Sequence, residues 1–371
     1  MALKESQVVL MEHSEVKVQL LKLYLEGYLS ILNNSSYVGE IHLYDLFCGE
    51  GLYRNGGKGS PIIILETIRS IQEQNLKSTV FHCHFNDLDK AKINKIEKFI
   101  RDEQFNSNKK INISLTSIDY RDLVPSLQNE FSKFQNKKAF IFIDPYGYKD
   151  IKICDLKMLL ESNHSEVLLF LPTQFMFRFA KNGMPESLLE FITELIPEEL
   201  WPNSSTGLEF IENLTEAFKT KFSPERFVDS FVITRDRNQY FCLFFFTSHI
   251  LGFEKMLDAK WNIDEEEGRG WTNEPENSLF ATLEKQPNIT KFKMRLKEFL
   301  VGEGRYNHEL YEFTIRSGFR TCHAVQTLKA MQDGGELILE RTDGGSVRKS
   351  AYYINYKCYK EEPHKLRIRL K

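Results

Sequence analysis

From residue 13 to residue 171, apolar runs of strand length alternate with segments whose apolar residues recur every three or four positions. Val16, Leu20, Leu21, Leu25 and Leu29 share one face of a helix, which predicts an amphipathic helix over 13–32. Strands are predicted at 41–47, 79–86, 111–118, 139–143 and 167–171. Ser60-Pro61 opens a helix after the first strand. Ile93, Ile96, Phe99 and Ile100 mark a helix after the second strand, and Leu123, Leu127 and Phe131 one after the third. Strand and helix in alternation imply right-handed crossovers and a mostly parallel sheet, hence an α/β fold.

The pattern changes after Pro172. A helical insertion runs to about 225, followed by two apolar strands at 227–234 and 240–247. Residues 264–288 are polar and without periodicity, which places a linker at 266–288 between a domain over 1–265 and a second over 289–371. In the second domain, helices are predicted at 289–301, 308–317 and 321–332, with strands at 336–341 and 348–354 around Asp343-Gly344-Gly345. Three helices and a hairpin describe a winged helix-turn-helix. From 341 to 371 there are nine Lys/Arg against three Asp/Glu, a local charge of +6. Lys329, Arg348 and Lys349 are the expected nucleic-acid contacts, with a packing or dimerisation module as the other reading.

Composition narrows the class. An apolar share of 42 %, with 29 Phe and 15 Tyr, supports a large core rather than disorder. A net charge of −3 excludes a uniformly polyanion-binding surface but leaves room for the local basic patch. The six cysteines are scattered without a C-x-x-C pair, which argues against a zinc site or iron–sulfur cluster and for reduced thiols in a cytoplasm; no metal is expected. The charged first residues lack a signal-peptide core, and runs such as Phe241–Phe246 are too short to span a membrane.

Two segments carry the chemistry. Tyr44-Asp45-Leu46-Phe47-Cys48-Gly49-Glu50-Gly51 ends the first strand, and Phe140-Ile141-Phe142-Ile143-Asp144-Pro145-Tyr146-Gly147 ends the fourth. Ligands of open α/β sheets bind outside the carboxyl ends of the strands, so Asp45 and Asp144 would face one crevice. Gly49 and Gly51 allow the backbone to approach a ligand that a Cβ would obstruct. This resembles the class I S-adenosylmethionine (SAM) methyltransferases, with 227–247 as their closing hairpin. The resemblance implies that Asp45, Phe47, Gly49 and Gly51 hold the methionine part of SAM. Asp87 would accept hydrogen bonds from the ribose diol, and Asp119 one from the adenine amine; each also reads as a helix cap. Lys17 would hold the cofactor carboxylate or a substrate phosphate, or simply lie solvated on its helix face.

Asp144-Pro145-Tyr146-Gly147 resembles the Asp-Pro-Phe-Gly of tRNA guanine-N2 dimethyltransferases, which implies an exocyclic amine as methyl acceptor. Asp144 and the Pro145 carbonyl would accept its hydrogens, and Tyr146 would stack on the base. A proline-glycine turn after a core strand is the alternative. Cytosine-C5 methylation fails, because it needs a nucleophilic cysteine after a proline at this strand end, and none is present.

Nearly end to end, the chain resembles the three-Cys-motif partner family (TcmP). The matching residues are His13-x-x-x-Lys17 with Leu20, Leu21, Tyr24 and Leu25, then Asp45-Leu46-Phe47-x-Gly49-x-Gly51-x-Tyr53, Gly59-Ser60-Pro61 and Phe142 to Gly147. Gly252, Met256, Trp261 and the tail extend it. That resemblance implies a methyltransferase-like protein working beside a separate three-cysteine, radical-SAM-like partner. Three readings follow: a SAM-dependent methyltransferase on a nucleobase amine in DNA or RNA, a degenerate methyltransferase fold that binds nucleic acid or scaffolds the partner, and a methyltransferase with another substrate.

Overall fold

Strands whose residues are apolar on both faces need helices on both sides. The computed structural model has this layering; it describes residues 12–74, 79–181, 183–222, 224–236, 239–273 and 286–371. In chain order come α1 (Glu12–Asn34), β1 (Glu40–Asp45), α2 (Ser60–Gln74), β2 (Val80–Asn86), α3 (Lys90–Asp102), β3 (Ile111–Thr116), α4 (Tyr120–Phe131) and β4 (Lys137–Ile143). Then follow α5 (Ile153–Leu160), β5 (Ser165–Leu171), α6 (Thr173–Lys181), α7 (Glu186–Leu195), α8 (Gly207–Phe222), β6 (Phe227–Asp236) and β7 (Gln239–Thr247). The chain continues through α9 (Ile250–Ile263), β8 (Gly270–Thr272), α10 (Thr290–Phe299), β9 (Arg305–Tyr306), α11 (Asn307–Arg316), α12 (Thr321–Asp333), β10 (Leu337–Arg341), α13 (Tyr356–Lys360) and β11 (Leu366–Leu370).

The large sheet has the order β3-β2-β1-β4-β5-β7-β6-β8. Strands β1 to β5 pair in parallel, while β7 runs antiparallel between β5 and β6. The expected α/β sheet, helical insertion and closing hairpin are therefore present. One face carries a continuous apolar core built from Ile141, Leu169 and Phe244 of the strands and Val124, Leu156, Phe191 and Phe218 of the helices. On the opposite face Tyr24 of α1 packs against Phe140 and Phe245, with ring centroids 5.3 and 4.9 Å apart.

Contacts divide the chain into two units, Met1–Ser248 with Gly270–Ser278, and His249–Arg269 with Leu279–Lys371. Helix α9, which the sequence places in the first domain, packs within the second unit. Tyr311 donates to Glu254 at 2.6 Å, Trp261 Nε1 to the Gly318 carbonyl at 3.0 Å, and Arg320 pairs with Asp258 at 3.3 Å. Of the expected linker, residues 274–285 lie outside the described residues; Gly270–Thr272 adds the short parallel strand β8 beside Val232–Thr234.

The second unit has its three helices close to the expected positions, but its sheet differs. Residues 348–354 are not a strand; β10 instead pairs antiparallel with β11, which also pairs with β9. Ser350 and Tyr353 take φ of +59° and +56°, which breaks a ladder. Within the segment Tyr352 and Ile354 are buried. Among the described residues, no helix is long and apolar enough to cross a membrane.

Candidate active site at the carboxyl ends of the strands

Loop geometry after β1 is set by one asparagine. Asn86, the last residue of β2, donates to the Leu46 and Ile118 carbonyls at 3.3 and 2.9 Å and accepts from the Ile118 amide at 3.0 Å. The Cys48 amide donates to the Asn86 carbonyl at 2.9 Å. Loops from three strands thus converge. Gly49 and Gly51 have φ of +65° and +76°, and space is open within 4 Å of where a Cβ on Gly49 would stand. The Gly59 amide donates to the Gly51 carbonyl at 2.6 Å, an approach that a larger residue at 59 would crowd.

Asp87 sits directly beneath this loop. Its Oδ2 accepts from the Gly49 amide at 3.1 Å and its Oδ1 from the Asp89 amide at 2.9 Å. Asp87 does not cap the following helix. That role belongs to Asp89, which accepts from the Ala91 amide at 2.9 Å. Lys92, on the first turn of α3, lies 3.4 Å from Asp87 Oδ2, donates to the Tyr146 hydroxyl and stands 4.3 Å from the Tyr146 ring centroid. Tyr146 itself is 63 % exposed.

Asp144 continues from β4 and is partly exposed, while Pro145 behind it is buried. Lys17 of α1 donates to Asp144 Oδ2 and lies 4.5 Å from the Phe170 ring centroid. This pair joins residues 127 positions apart. Asp45 is fully buried, and among the described residues neither of its carboxylate oxygens receives a hydrogen bond of normal geometry. Burial pushes its carboxyl up to about 7; the nearby Ser60 hydroxyl opposes this, Asp144 adds to it, and the Phe47 amide and Lys17 oppose it. Burial also raises the Tyr53 phenol, with Asp144, Tyr146 and Asp45 adding to the effect, which places Tyr53 in the same cluster.

The structure therefore brings together Lys17, Gly49, Gly51, Asp87, Asp144, Pro145 and Tyr146, with Asp45 beneath them rather than lining an open crevice. Phe47 is half-buried and stacks on Tyr120, centroids 5.3 Å apart. Asp119 caps α4 through the Arg121 amide at 2.9 Å and pairs with the Arg121 guanidinium at 2.7 Å, which holds its carboxyl at about 2. The adenine-acceptor role expected of it competes with those bonds. The His13 side chain lies outside the described residues. Lys329, Arg348 and Lys349 are exposed in the second unit, Lys349 lying 3.6 Å from Asp333. Sequence reasoning gave no site role to Asn86, Lys92 or Tyr53; an asparagine at a strand end and a lysine in a first helical turn are too common to stand out.

A doubly wound, mostly parallel sheet with one antiparallel strand near its edge, and a glycine loop, carboxylates and an aromatic residue at the strand ends, define a Rossmann-like α/β protein. No family model and no curated protein matches the chain. Among solved structures it is similar to an O-methyltransferase from Bacillus cereus in complex with SAH, at 13 % identity over 64 % of this chain and 81 % of that one, TM-score 0.35. Loganic acid methyltransferase with SAH gives 12 % identity over 62 % and 78 %, TM-score 0.28. The delta-N METTL16 methyltransferase domain gives 10 % over 62 % and 82 %, TM-score 0.27.

Proposed function

We propose that the chain is a SAM-dependent methyltransferase acting on an exocyclic amine of a nucleobase in DNA or RNA, alongside a three-cysteine-motif partner. The observation that carries this reading is the convergence of the Gly49–Gly51 loop, Asp87 and Asp144-Pro145-Tyr146 at adjacent strand ends. The residues fit the cofactor: the space over Gly49 suits close backbone approach, and Asp87 Oδ1, which accepts only the Asp89 amide, keeps a lone pair for a ribose hydroxyl, while Oδ2 takes the Gly49 amide and the Lys92 ammonium. When bound, SAM supplies a methyl group on a sulfonium, ready for a nucleophilic nitrogen. Asp144 accepts an N–H of the amine on Oδ1 while Lys17 holds Oδ2, which turns the nitrogen lone pair and neutralises the carboxylate. Tyr146 offers its exposed ring for stacking, and Lys92 fixes that ring relative to Asp87.

Isothermal titration with SAM tests the cofactor half. Binding is expected, weakened in Asp87→Ala by about 1.5–3 kcal/mol, the worth of hydrogen bonds to a charged group. Absence of heat with wild-type protein would overturn it. A second reading, a degenerate fold that binds nucleic acid or scaffolds the partner, is favoured by the existing Lys17–Asp144 pair, which leaves the carboxylate occupied. Heat with SAM but no methyl transfer to cellular RNA or DNA would remove the nucleobase substrate and leave the degenerate fold or a methyltransferase with another substrate.

A further inference from the structure

The opposite end of the same strands holds a second cluster of chemistry. Alternate residues Glu40, His42 and Tyr44 of β1 and His82 and His84 of β2 point to one face, in a sheet whose central strands are otherwise apolar there. Parallel sheets covered on both faces seldom carry such a polar stripe without a use for it. His42 is 96 % buried by its 4 % exposure, and its Nε2 has no hydrogen-bond partner among the described residues. The His82 Nε2 is in the same position. Both nitrogens lie against one oxygen, Glu40 Oε2, at 3.5 and 3.2 Å.

We propose that Glu40, His42 and His82 form a binding site for a divalent transition-metal ion, zinc by its donor set. Two imidazole nitrogens and a carboxylate oxygen are a recurrent zinc triad. Zinc–ligand bonds of about 2.0–2.1 Å in a tetrahedron put neighbouring ligand atoms about 3.4 Å apart, close to the two spacings seen here. All three donor atoms lie within 4.8 Å of one another. The surroundings supply the outer support that metal-bound histidines use. On its other side, His42 Nδ1 faces His84 Nε2 at 3.3 Å, the Tyr44 hydroxyl at 3.4 Å and Glu130 Oε1 at 3.8 Å. A proton on Nδ1, shared with His84 Nε2, leaves the Nε2 lone pair for the metal. The two rings stack with centroids 4.3 Å apart and planes 7° from parallel, so metal entry turns the partly exposed His82 ring until its lone pair converges. One cation already contests the site: Lys137 Nζ is 2.8 Å from Glu40 Oε2 and can swing to solvent.

The site sits at the amino ends of the strands, away from Asp45 and Asp87, and does not depend on the proposed methyltransferase chemistry. The test is zinc titration of the full chain against a chromophoric chelator, beside thermal melting with and without zinc. One zinc per chain and a higher melting temperature are expected. His82→Gln and Glu40→Gln, both partly exposed, should each weaken binding by more than about tenfold, the lower end of what losing even an outer-shell partner costs. Lys137→Gln should tighten it several-fold, because the ammonium no longer competes for Glu40. No zinc bound by the wild type, or equal affinity in the wild type and both ligand variants, as cysteine binding elsewhere would give, overturns the proposal.

Discussion

Asp45 shows how far a single residue's surroundings can depart from its motif. Its carboxyl, shifted up by burial from 3.8 to about 7, keeps its proton in the folded state where the unfolded chain has released it. The folded state then binds more protons between about pH 4 and pH 7, so stability falls as pH rises through that window. Asp45→Asn removes this cost. Urea denaturation at about pH 5 and about pH 7.5 should show the decline reduced in the variant by on the order of 1–3 kcal/mol; an undiminished decline would show that Asp45 ionises freely. The site's carboxylates were legible as strand-end residues, but their partners were not. Lys17 meets Asp144 across 127 positions, and Lys92 meets Tyr146 across 54, distances over which periodicity carries no information. Asp87 and Asp89 are equivalent as caps in sequence, and only the backbone decides between them.

Among the elements, α1 depends on a buried polar junction. Tyr24 donates to Glu166 of β5, whose other oxygen accepts from Thr247 of β7 at 2.8 Å. Burial raises the Glu166 carboxyl to about 7, with Tyr24 and Thr247 opposing the shift. Tyr24→Phe keeps the ring packing on Phe140 and Phe245 but leaves a buried acceptor short of a donor. It should therefore cost about 1–3 kcal/mol in chemical denaturation, with little change in fold by circular dichroism; a neutral result would mean that Thr247 alone satisfies Glu166. The five parallel strands were readable because β1 to β3 alternate with period two, β4 and β5 hold continuous apolar runs, and turn residues bound them. In the second unit the same reasoning chose the wrong partner for β10. Residues 348–354 follow a tight turn and end in Tyr352-Tyr353-Ile354, yet Leu366-Arg367-Ile368-Arg369-Leu370 alternates strictly and won the pairing. Its arginines made it look like a basic tail. Strand β8 is three residues long, too short for any pattern to reveal.

At the scale of the whole molecule, the proposed chemistry divides between the units. A base within a polymer has to be unpaired or flipped to reach Asp144 and Tyr146, at a cost of a few kcal/mol that contacts elsewhere offset. The basic residues of the second unit are the source we propose. Several already have carboxylate partners: Arg341 with Asp343, Lys365 with Glu361, Arg367 with Glu303 and Arg369 with Glu340. Exposed pairs of this kind are worth little and exchange readily for phosphate. Arg348, exposed in the loop after β10, is therefore the sharper test, taken with its neighbour Lys349, which lies 3.6 Å from Asp333. Replacing both with alanine should weaken nucleic-acid binding and reduce its salt dependence by roughly one unit of slope per lost phosphate contact, with SAM binding unchanged. Asp144→Ala should do the reverse, abolishing methyl transfer while binding and its salt slope persist. Gel shifts across a salt series, run beside a radiolabelled transfer assay on cellular RNA and DNA, read both effects. Equal salt slopes in wild type and double variant would separate the second unit's basic loop from the substrate, and transfer that survives Asp144→Ala would remove the carboxylate from the reaction.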